Sequence, residues 1–197
     1  MHRSILLAIL STFMAGAAFA QPGPVRLRGT IQALDGDMLT IQTRDGDAQG
    51  ITLAPGYTVS AIVPSTLDAV RPGAMIGIVG FGPPKQQRAA VVSIFPPGAT
   101  VNAAQFPWDS QPDSVMTNAP VTAEVAASAG RMLTVTIAGE PIEVSVTPTT
   151  IVQASEPGTP SLLVPGAHVL VAATRAADGA LSASRVNVGK DGFTPAN

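Results

Sequence analysis

Cysteine is absent from this chain of 197 residues, and aromatic and charged residues are scarce. Tryptophan and tyrosine occur once each, and charged side chains make up 12% of the sequence. Without cysteine the chain has no disulfides and no thiol to carry a lipid. Stability must therefore come from packing, for which the 46% of hydrophobic residues provide the material.

A long hydrophobic run is also missing after residue 20. No later stretch approaches the roughly 20 apolar residues that a membrane-spanning helix needs. Residues 1–20 have a basic start, a short apolar stretch at Ile5–Leu10 and a small-residue end at Ala18–Ala20. This pattern predicts a secretory signal peptide cleaved after Ala20 rather than a membrane anchor. We therefore expect a soluble, secreted mature protein in the periplasm, with no membrane span.

The sequence also lacks an excess of positive charge. The formal net charge is -2 at pH 7, and loss of Arg3 with the signal peptide changes it to -3. Proteins that bind nucleic acids carry a basic surface that neutralises phosphates. The composition therefore excludes nucleic acid as the expected partner.

Glycine and proline, in contrast, are abundant. The chain has 19 Gly and 18 Pro, which is typical of short strands joined by tight turns. One turn-and-strand segment occurs twice, as Gly36–Ile41 (GDMLTI) and 94 residues later as Gly130–Val135 (GRMLTV). A segment repeated at this spacing indicates a duplicated unit. We predict a first domain at 21–97, an ordered proline-rich linker with Trp108 at 98–117, and a second domain at 118–197.

Each predicted domain contains five or six short strands and one short helical turn. In Val25–Leu34 apolar and polar residues alternate, as in a half-buried strand, whereas Ala74–Gly80 is apolar on both faces, as in a central strand. Thr66–Val70 has the pattern of a single capped helical turn. We predict an all-β protein of two tandem OB-like barrels. A β-sandwich is the alternative, because strand number does not determine closure.

Several short motifs resemble a family of bacterial exported proteins built from a tandem domain of unknown function. The matching segments are Arg28–Ile31, the Asp-Gly-x-x-Leu-Thr hairpin at Asp35–Thr40, Val70–Gly73, Pro107–Asp109, Met116–Ala119 and Val188–Gly192. The resemblance implies OB-like β-barrel repeats and brings no established activity or catalytic residues. Members are often labelled as metal-transporter permeases, a function that requires several membrane spans, which this sequence lacks.

Metal-ligating residues do not cluster in the sequence. The acidic pairs Asp35/Asp37 and Asp45/Asp47 are separated by a strand of about 20 Å, so they cannot share one ion and are best explained as hairpin turns. His168 is the single histidine after residue 20. We predict no dedicated metal site and no cofactor. A weak site that uses methionines (Met38, Met75, Met116 and Met132) stays open.

Catalytic motifs are missing as well. No serine lies in a Gly-x-Ser-x-Gly elbow, and no glycine-rich phosphate loop precedes a long helix. We predict no catalytic residues and a protein that is not an enzyme. A hydrolase with two carboxylates in a cleft, acting on the cell envelope, is kept as the third hypothesis because acidic residues are present.

Two groups of residues are the weak candidates for binding a ligand or partner. Arg26, Arg28 and Arg88 are expected on the outer face of the first barrel, either as a solubilising surface or as a small anion or partner site. Phe106 and Trp108 are expected to dock the linker against the barrels or to offer exposed aromatic surface. Our leading hypothesis is a non-catalytic periplasmic binding or adaptor protein for an unknown envelope protein or small ligand. The alternative is a weak metal- or small-ligand-binding protein associated with metal transport.

Overall fold

The structure, a computed structural model, describes residues 25–127 and 130–196. The predicted signal peptide lies outside the described residues. None of the helical segments within them is long and apolar enough to span a membrane. They are 3-10 turns of three residues each, at Leu67–Ala69, Pro160–Leu162 and Lys190–Gly192.

Alternating apolar residues and glycine turns produce a structure dominated by strands. Leu39 and Ile41 are fully buried, whereas the neighbouring Met38 and Gln42 are exposed. Gly36 starts this strand from a turn with φ of 60°, a backbone conformation that costs glycine little. The described residues contain twelve strands: β1 Val25–Asp35, β2 Met38–Thr43, β3 Ala48–Pro64, β4 Met75–Phe81, β5 Gln86–Ile94, β6 Ala104–Pro107, β7 Val115–Ala127, β8 Gly130–Ile137, β9 Glu140–Val146, β10 Ile151–Pro157, β11 His168–Arg175 and β12 Leu181–Gly189.

Five of these strands, β1, β2, β3, β11 and β12, close into a barrel that we call the first barrel. β1 pairs antiparallel with β2 and β11, β2 pairs with β3, and β11 pairs with β12. β12 runs parallel to β3, and this pairing completes the circuit. The interior is packed with buried apolar side chains, among them Ile31, Leu39, Ile41, Ile51, Leu53, Val169, Val171, Val186 and Val188.

Strands β4, β5, β7, β8 and β9 form a second circuit, which we call the second ring. β4 pairs antiparallel with β5 and β7, β7 pairs with β8, and β8 pairs with β9. A short parallel pairing between β5 and β9 completes this circuit. Its core is a separate apolar cluster that includes Ile76, Ile78, Val92, Val121, Leu133, Val135, Val144 and Val146.

The two circuits exchange strands between the halves of the sequence. The first barrel takes β1–β3 from the first half and β11–β12 from the second, whereas the second ring takes β4–β5 from the first half and β7–β9 from the second. The all-β prediction is therefore confirmed. The strand pairing, however, does not follow the predicted division into 21–97 and 118–197, because each circuit needs strands from both segments.

Strand β10 lies between the two circuits and joins them into one continuous sheet. It pairs antiparallel with the end of β3 and parallel with β5. Its Gln153 is buried, donates a hydrogen bond from Nε2 to Ser93 Oγ (2.9 Å) and accepts one at Oε1 from the backbone N–H of Ala196 (3.0 Å). The buried amide thus fixes both β5 and the end of the chain against β10.

The segment predicted as the linker, 98–117, contributes strands of its own. β6 pairs with β7, with Phe106 opposite Met116, and β7 already pairs with β4 from Val115 onward. Strand β7 therefore begins at Val115, inside the segment predicted as the linker. Phe106 and Trp108 pack against a third small apolar cluster of Val79, Val91 and Met116.

Candidate functional site

Four of the five candidate binding residues meet in one place, which we call the linker cluster: Arg26, Arg28, Phe106, Trp108 and the adjacent Asp109. Arg88 lies elsewhere. The domain predicted at 21–97 includes Arg88, and the structure places this residue on β5, which follows β4 into the second ring.

The linker cluster is held together by contacts between two aromatic rings and two guanidinium groups. The guanidinium carbon of Arg26 lies 4.0 Å from the centroid of the Trp108 ring, and that of Arg28 lies 5.9 Å from it. The rings of Phe106 and Trp108 are 5.9 Å apart. Cation–π contacts of this kind are worth about 0.5–2 kcal/mol, depending on how far they are desolvated. Because Trp108 also packs against Val79, Val91 and Met116, it connects β1 to the second ring.

Asp109 supplies the opposite charge in the cluster. Its carboxylate accepts a hydrogen bond from Arg28 Nη2 (2.7 Å) and lies 3.9 Å from Arg26 Nη1. Partial burial acts to raise the pKa of Asp109, but the hydrogen bond from Arg28 and the charges of Arg28 and Arg26 outweigh it, so the pKa lies below its usual value. The cluster thus pairs its cations internally, as expected of a clamp between the circuits.

Replacing Asp109 with Asn is expected to lower the free energy of unfolding by about 1 kcal/mol near neutral pH, since the ion pair is partly exposed and screened by solvent. The folded-state pKa is depressed, so the ionised carboxylate stabilises the fold above the unfolded pKa of about 3.9. This stabilisation is lost as the pH falls through the folded-state pKa. Urea unfolding of both proteins across this range should show the difference shrinking toward zero on acidification.

The matched control is Asp178→Asn in the β11–β12 turn, where Asp178 is exposed and accepts a hydrogen bond from the backbone N–H of Ala180. Asparagine retains an oxygen for this bond, so little change is expected at any pH. An Asp109→Asn effect that is as large in acid as at neutral pH would contradict the ion-pair explanation.

Arg88 lies in an open cavity of about 520 Å³ on the second ring, which we call the Arg88 cleft. Its walls come from the ends of β4 and β5 and from β8 and β9. The residues that line it are Phe81, Gly82, Gln86, Gln87, Arg88, Met132, Glu143 and Ser145. They offer a cation, a carboxylate, a hydroxyl, two amides, a thioether and an aromatic ring in one concave surface.

The strand register explains why these residues share a face. On the parallel β5–β9 pair, Gln86 is opposite Glu143 and Arg88 is opposite Ser145. Directly paired residues project to the same side of a sheet, as does every second residue along each strand. Phe81 is the partner of Arg88 on β4, and the guanidinium lies 5.8 Å from the centroid of the Phe81 ring.

The strands beneath the cleft are fixed by a buried polar chain. Gln105 Nε2 donates to the Pro84 carbonyl (2.9 Å) and to Thr117 Oγ1 (3.1 Å), and the Thr117 hydroxyl donates to Gln87 Oε1 (2.9 Å). Thr117 and Gln87 are both buried, and within the described residues the Gln87 Nε2 group has no hydrogen-bond partner. The chain thus links β6, β7 and β5 beneath the cleft but leaves one buried amide donor unsatisfied.

The β4–β5 turn at the rim of the cleft is tied to β9. The Lys85 carbonyl accepts the Glu143 backbone N–H (3.0 Å), and Lys85 Nζ donates to Glu140 Oε2 (2.8 Å). The hydrogen bond from Lys85 and its charge hold the pKa of Glu140 below its usual value. By contrast, neither Arg88 nor Glu143 forms an ion pair within the described part of the chain.

The structure brings no metal-ligand set together among residues 25–127 and 130–196, where no three His, Cys, Asp or Glu side chains could hold an ion. His168 is partly buried, and its Nδ1 lies 3.2 Å from Thr30 Oγ1. Met38 is exposed at the β1–β2 hairpin, and Met116 belongs to the apolar cluster under Trp108. Met75 begins β4 and Met132 lines the Arg88 cleft, so each of the four candidate methionines lies in a different place.

Sequence reasoning identified Arg88 but none of its charged or aromatic neighbours in the cleft. Phe81 had a usable signal, because it is one of few aromatic residues and precedes the Gly-Pro-Pro turn at 82–84. Glu143 and Ser145 had no such signal in the sequence, since they lie beside Arg88 only through the β5–β9 register.

In comparisons with known proteins, no family model, no curated protein and no solved structure matches this chain.

Proposed function

We propose that this chain is an exported, non-catalytic binding or adaptor protein of the periplasm, and that the Arg88 cleft holds a protein partner of the cell envelope. The observation that carries the proposal is the cleft itself, in which an exposed cation and an exposed carboxylate share a concave surface without pairing to each other. A concave surface that carries a few exposed polar side chains is typical of binding sites.

The architecture supports a binding role. Each circuit has five strands and is closed by one parallel pair, and a short 3-10 turn occurs in the connection before β4 of the second ring and before β11 of the first barrel, at Leu67–Ala69 and Pro160–Leu162. We propose that both are OB-type barrels, a fold that binds ligands on its sheet surface and loops. The duplicated hairpins and the resemblance to exported tandem-domain proteins support the same assignment, and residues 1–20 supply the export signal.

Site-specific photo-crosslinking in the periplasm of the native host tests this function. The full chain carries p-benzoylphenylalanine in place of Ser145, which lines the cleft, or in place of Thr174, which is exposed on the first barrel. We expect a discrete adduct of higher mass from the Ser145 position. The Thr174 position should give none.

A second comparison tests whether the adduct depends on Arg88. Arg88→Gln should reduce the Ser145 adduct several-fold, whereas Arg175→Gln, an exposed arginine on β11, should leave it unchanged. The absence of an adduct at the Ser145 position, or an adduct that does not depend on Arg88, would count against partner capture through this cleft.

A further inference from the structure

The cation and the anion of the Arg88 cleft are offset along the strands by a fixed amount. Arg88 is opposite Ser145, whereas Glu143 is two residues earlier on β9, opposite Gln86. Two residues along a strand span roughly 6.6 Å. The two charges therefore stand on adjacent strands with an axial displacement that the parallel register determines.

Arg88 has an aromatic partner on the side of β5 away from Glu143. Its guanidinium carbon lies over the ring of Phe81, 5.8 Å from the centroid, and Phe81 is directly opposite it on β4, on the side of β5 away from β9. A cation–π contact of this kind leaves the N–H groups of a guanidinium available for hydrogen bonds. The cleft is therefore set to engage a group of each sign at two separate points.

We infer that the partner segment entering the Arg88 cleft is an extended peptide with an acidic and a basic side chain two residues apart. This inference rests on the proposed function and names the chemistry of the partner. In an extended peptide, residues i and i+2 project to the same side at the same spacing of roughly 6.6 Å. The acidic side chain then pairs with Arg88 and the basic one with Glu143, while Met132 and Phe81 provide apolar contacts beside them.

Charge distribution favours a peptide over a carbohydrate. Sugar rings are commonly bound by stacking on an uncovered aromatic face, but in this cleft the Arg88 guanidinium lies over the Phe81 ring, 5.8 Å from its centroid. The charged side chains Arg88 and Glu143 are exposed, whereas Phe81 and Met132 are only partly exposed. Complementary charges two residues apart on one peptide satisfy both groups at once.

Peptide titration tests the inference on the chain from Gln21 onward, followed by backbone amide NMR. The probes are blocked heptapeptides with Thr-Thr at each end and a core of Glu-Val-Lys, Lys-Val-Glu, Glu-Val-Glu, Lys-Val-Lys or Gln-Val-Gln, and chitotriose serves as the carbohydrate probe. We expect the opposite-charge cores to bind about fivefold more tightly than Gln-Val-Gln, the upper range for an exposed ion pair, with shifts at Arg88 and Ser145.

Variants with reversed charge at Arg88 or Glu143 test which peptide charge each residue prefers. Arg88→Glu should move the preference to Lys-Val-Lys and Glu143→Lys should move it to Glu-Val-Glu, each by about fivefold. The double variant Arg88→Glu/Glu143→Arg should again prefer opposite charges, and Arg175→Glu should leave the ranking unchanged. Both cleft residues are exposed, so circular dichroism is expected to show folded variants throughout.

Three results would overturn the inference: the same peptide ranking in every variant, no amide shifts at about 5 mM peptide, or shifts with chitotriose alone. Its failure is distinguishable from that of the proposed function. A cross-link at the Ser145 position together with peptides that show no charge preference removes the peptide chemistry and leaves partner capture intact. If neither the cross-link nor the charge preference is observed, both the proposed function and this inference are overturned.

Discussion

A fragment of residues 25–97 is expected to form a homodimer and no folded monomer. It contains β1–β3, which need two further strands to close the first barrel, and β4–β5, which need three to close the second ring. Two copies can satisfy both needs, because β4–β5 of one copy can occupy the place of β11–β12 beside β1–β3 of the other. Light scattering after size exclusion, with far-ultraviolet circular dichroism, measures the mass and the strand content.

The complementary fragment provides the control. Residues 98–196 carry β6–β12, and mixing them with 25–97 should yield a one-to-one complex with the circular dichroism spectrum of the intact chain. Closing the circuits recovers the long parallel pairing between β3 and β12, in which Ser182 is opposite Thr52 and Gly189 is opposite Ile62. A monomeric 25–97 fragment that unfolds cooperatively would show instead that β4–β5 folds back onto β1–β3.

Local elements of this fold follow from the sequence with little ambiguity. The first hairpin is predicted by alternation in β1 and β2 and by the turn at Asp35–Asp37, and the structure contains it. The helical turn predicted at Thr66–Val70 is found as the 3-10 turn at Leu67–Ala69. These features depend on residues close in sequence, whose turn and burial preferences act directly.

The exchange of strands could not be predicted in the same way. Strand β4 follows β3 after the connection at 65–74 and joins the second ring, whereas β1–β3 belong to the first barrel. The apolar pattern of β4 does not indicate which circuit the strand joins. Strand β3 runs through Pro55-Gly56, with Gly56 at φ of 74°, and its register against β12 shifts there between Leu53 and Thr58. The end of β3 extends beyond the first barrel to pair with β10. Long-range pairing of this kind leaves no periodic signal in the sequence.

The candidate site was predictable only in part, for the same reason. The rare aromatic residues Phe106 and Trp108 drew attention to the linker, and the structure places them with Arg26 and Arg28 in a clamp between the circuits. The Arg88 cleft depends instead on the register that sets Arg88 beside Ser145, residues 57 positions apart. That strand register cannot be inferred from a single sequence.

The segment Val188–Gly192 is sterically constrained in the structure. Gly189 is buried at the end of β12, and a Cβ atom added to it would lie 1.6 Å from the Phe193 carbonyl oxygen. The chain turns back at Lys190–Gly192, where the Phe193 N–H donates to the Lys190 carbonyl (3.0 Å). Only glycine allows this close approach of backbone to backbone.

Gly189→Ala is therefore expected to lower the free energy of unfolding by about 3 kcal/mol, at the upper end of the usual range for overpacking. The turn would have to move, and with it the buried Pro195 and the hydrogen bond from Ala196 to Gln153. Gly192→Ala is the matched control in the same turn. Its φ of 79° strains alanine, but nothing lies within 4 Å of the added Cβ, so a loss of only about 1 kcal/mol is expected. Urea unfolding of both variants measures the difference, and equal losses would show that the turn yields to the added methyl group and that the close approach at Gly189 does not constrain the fold.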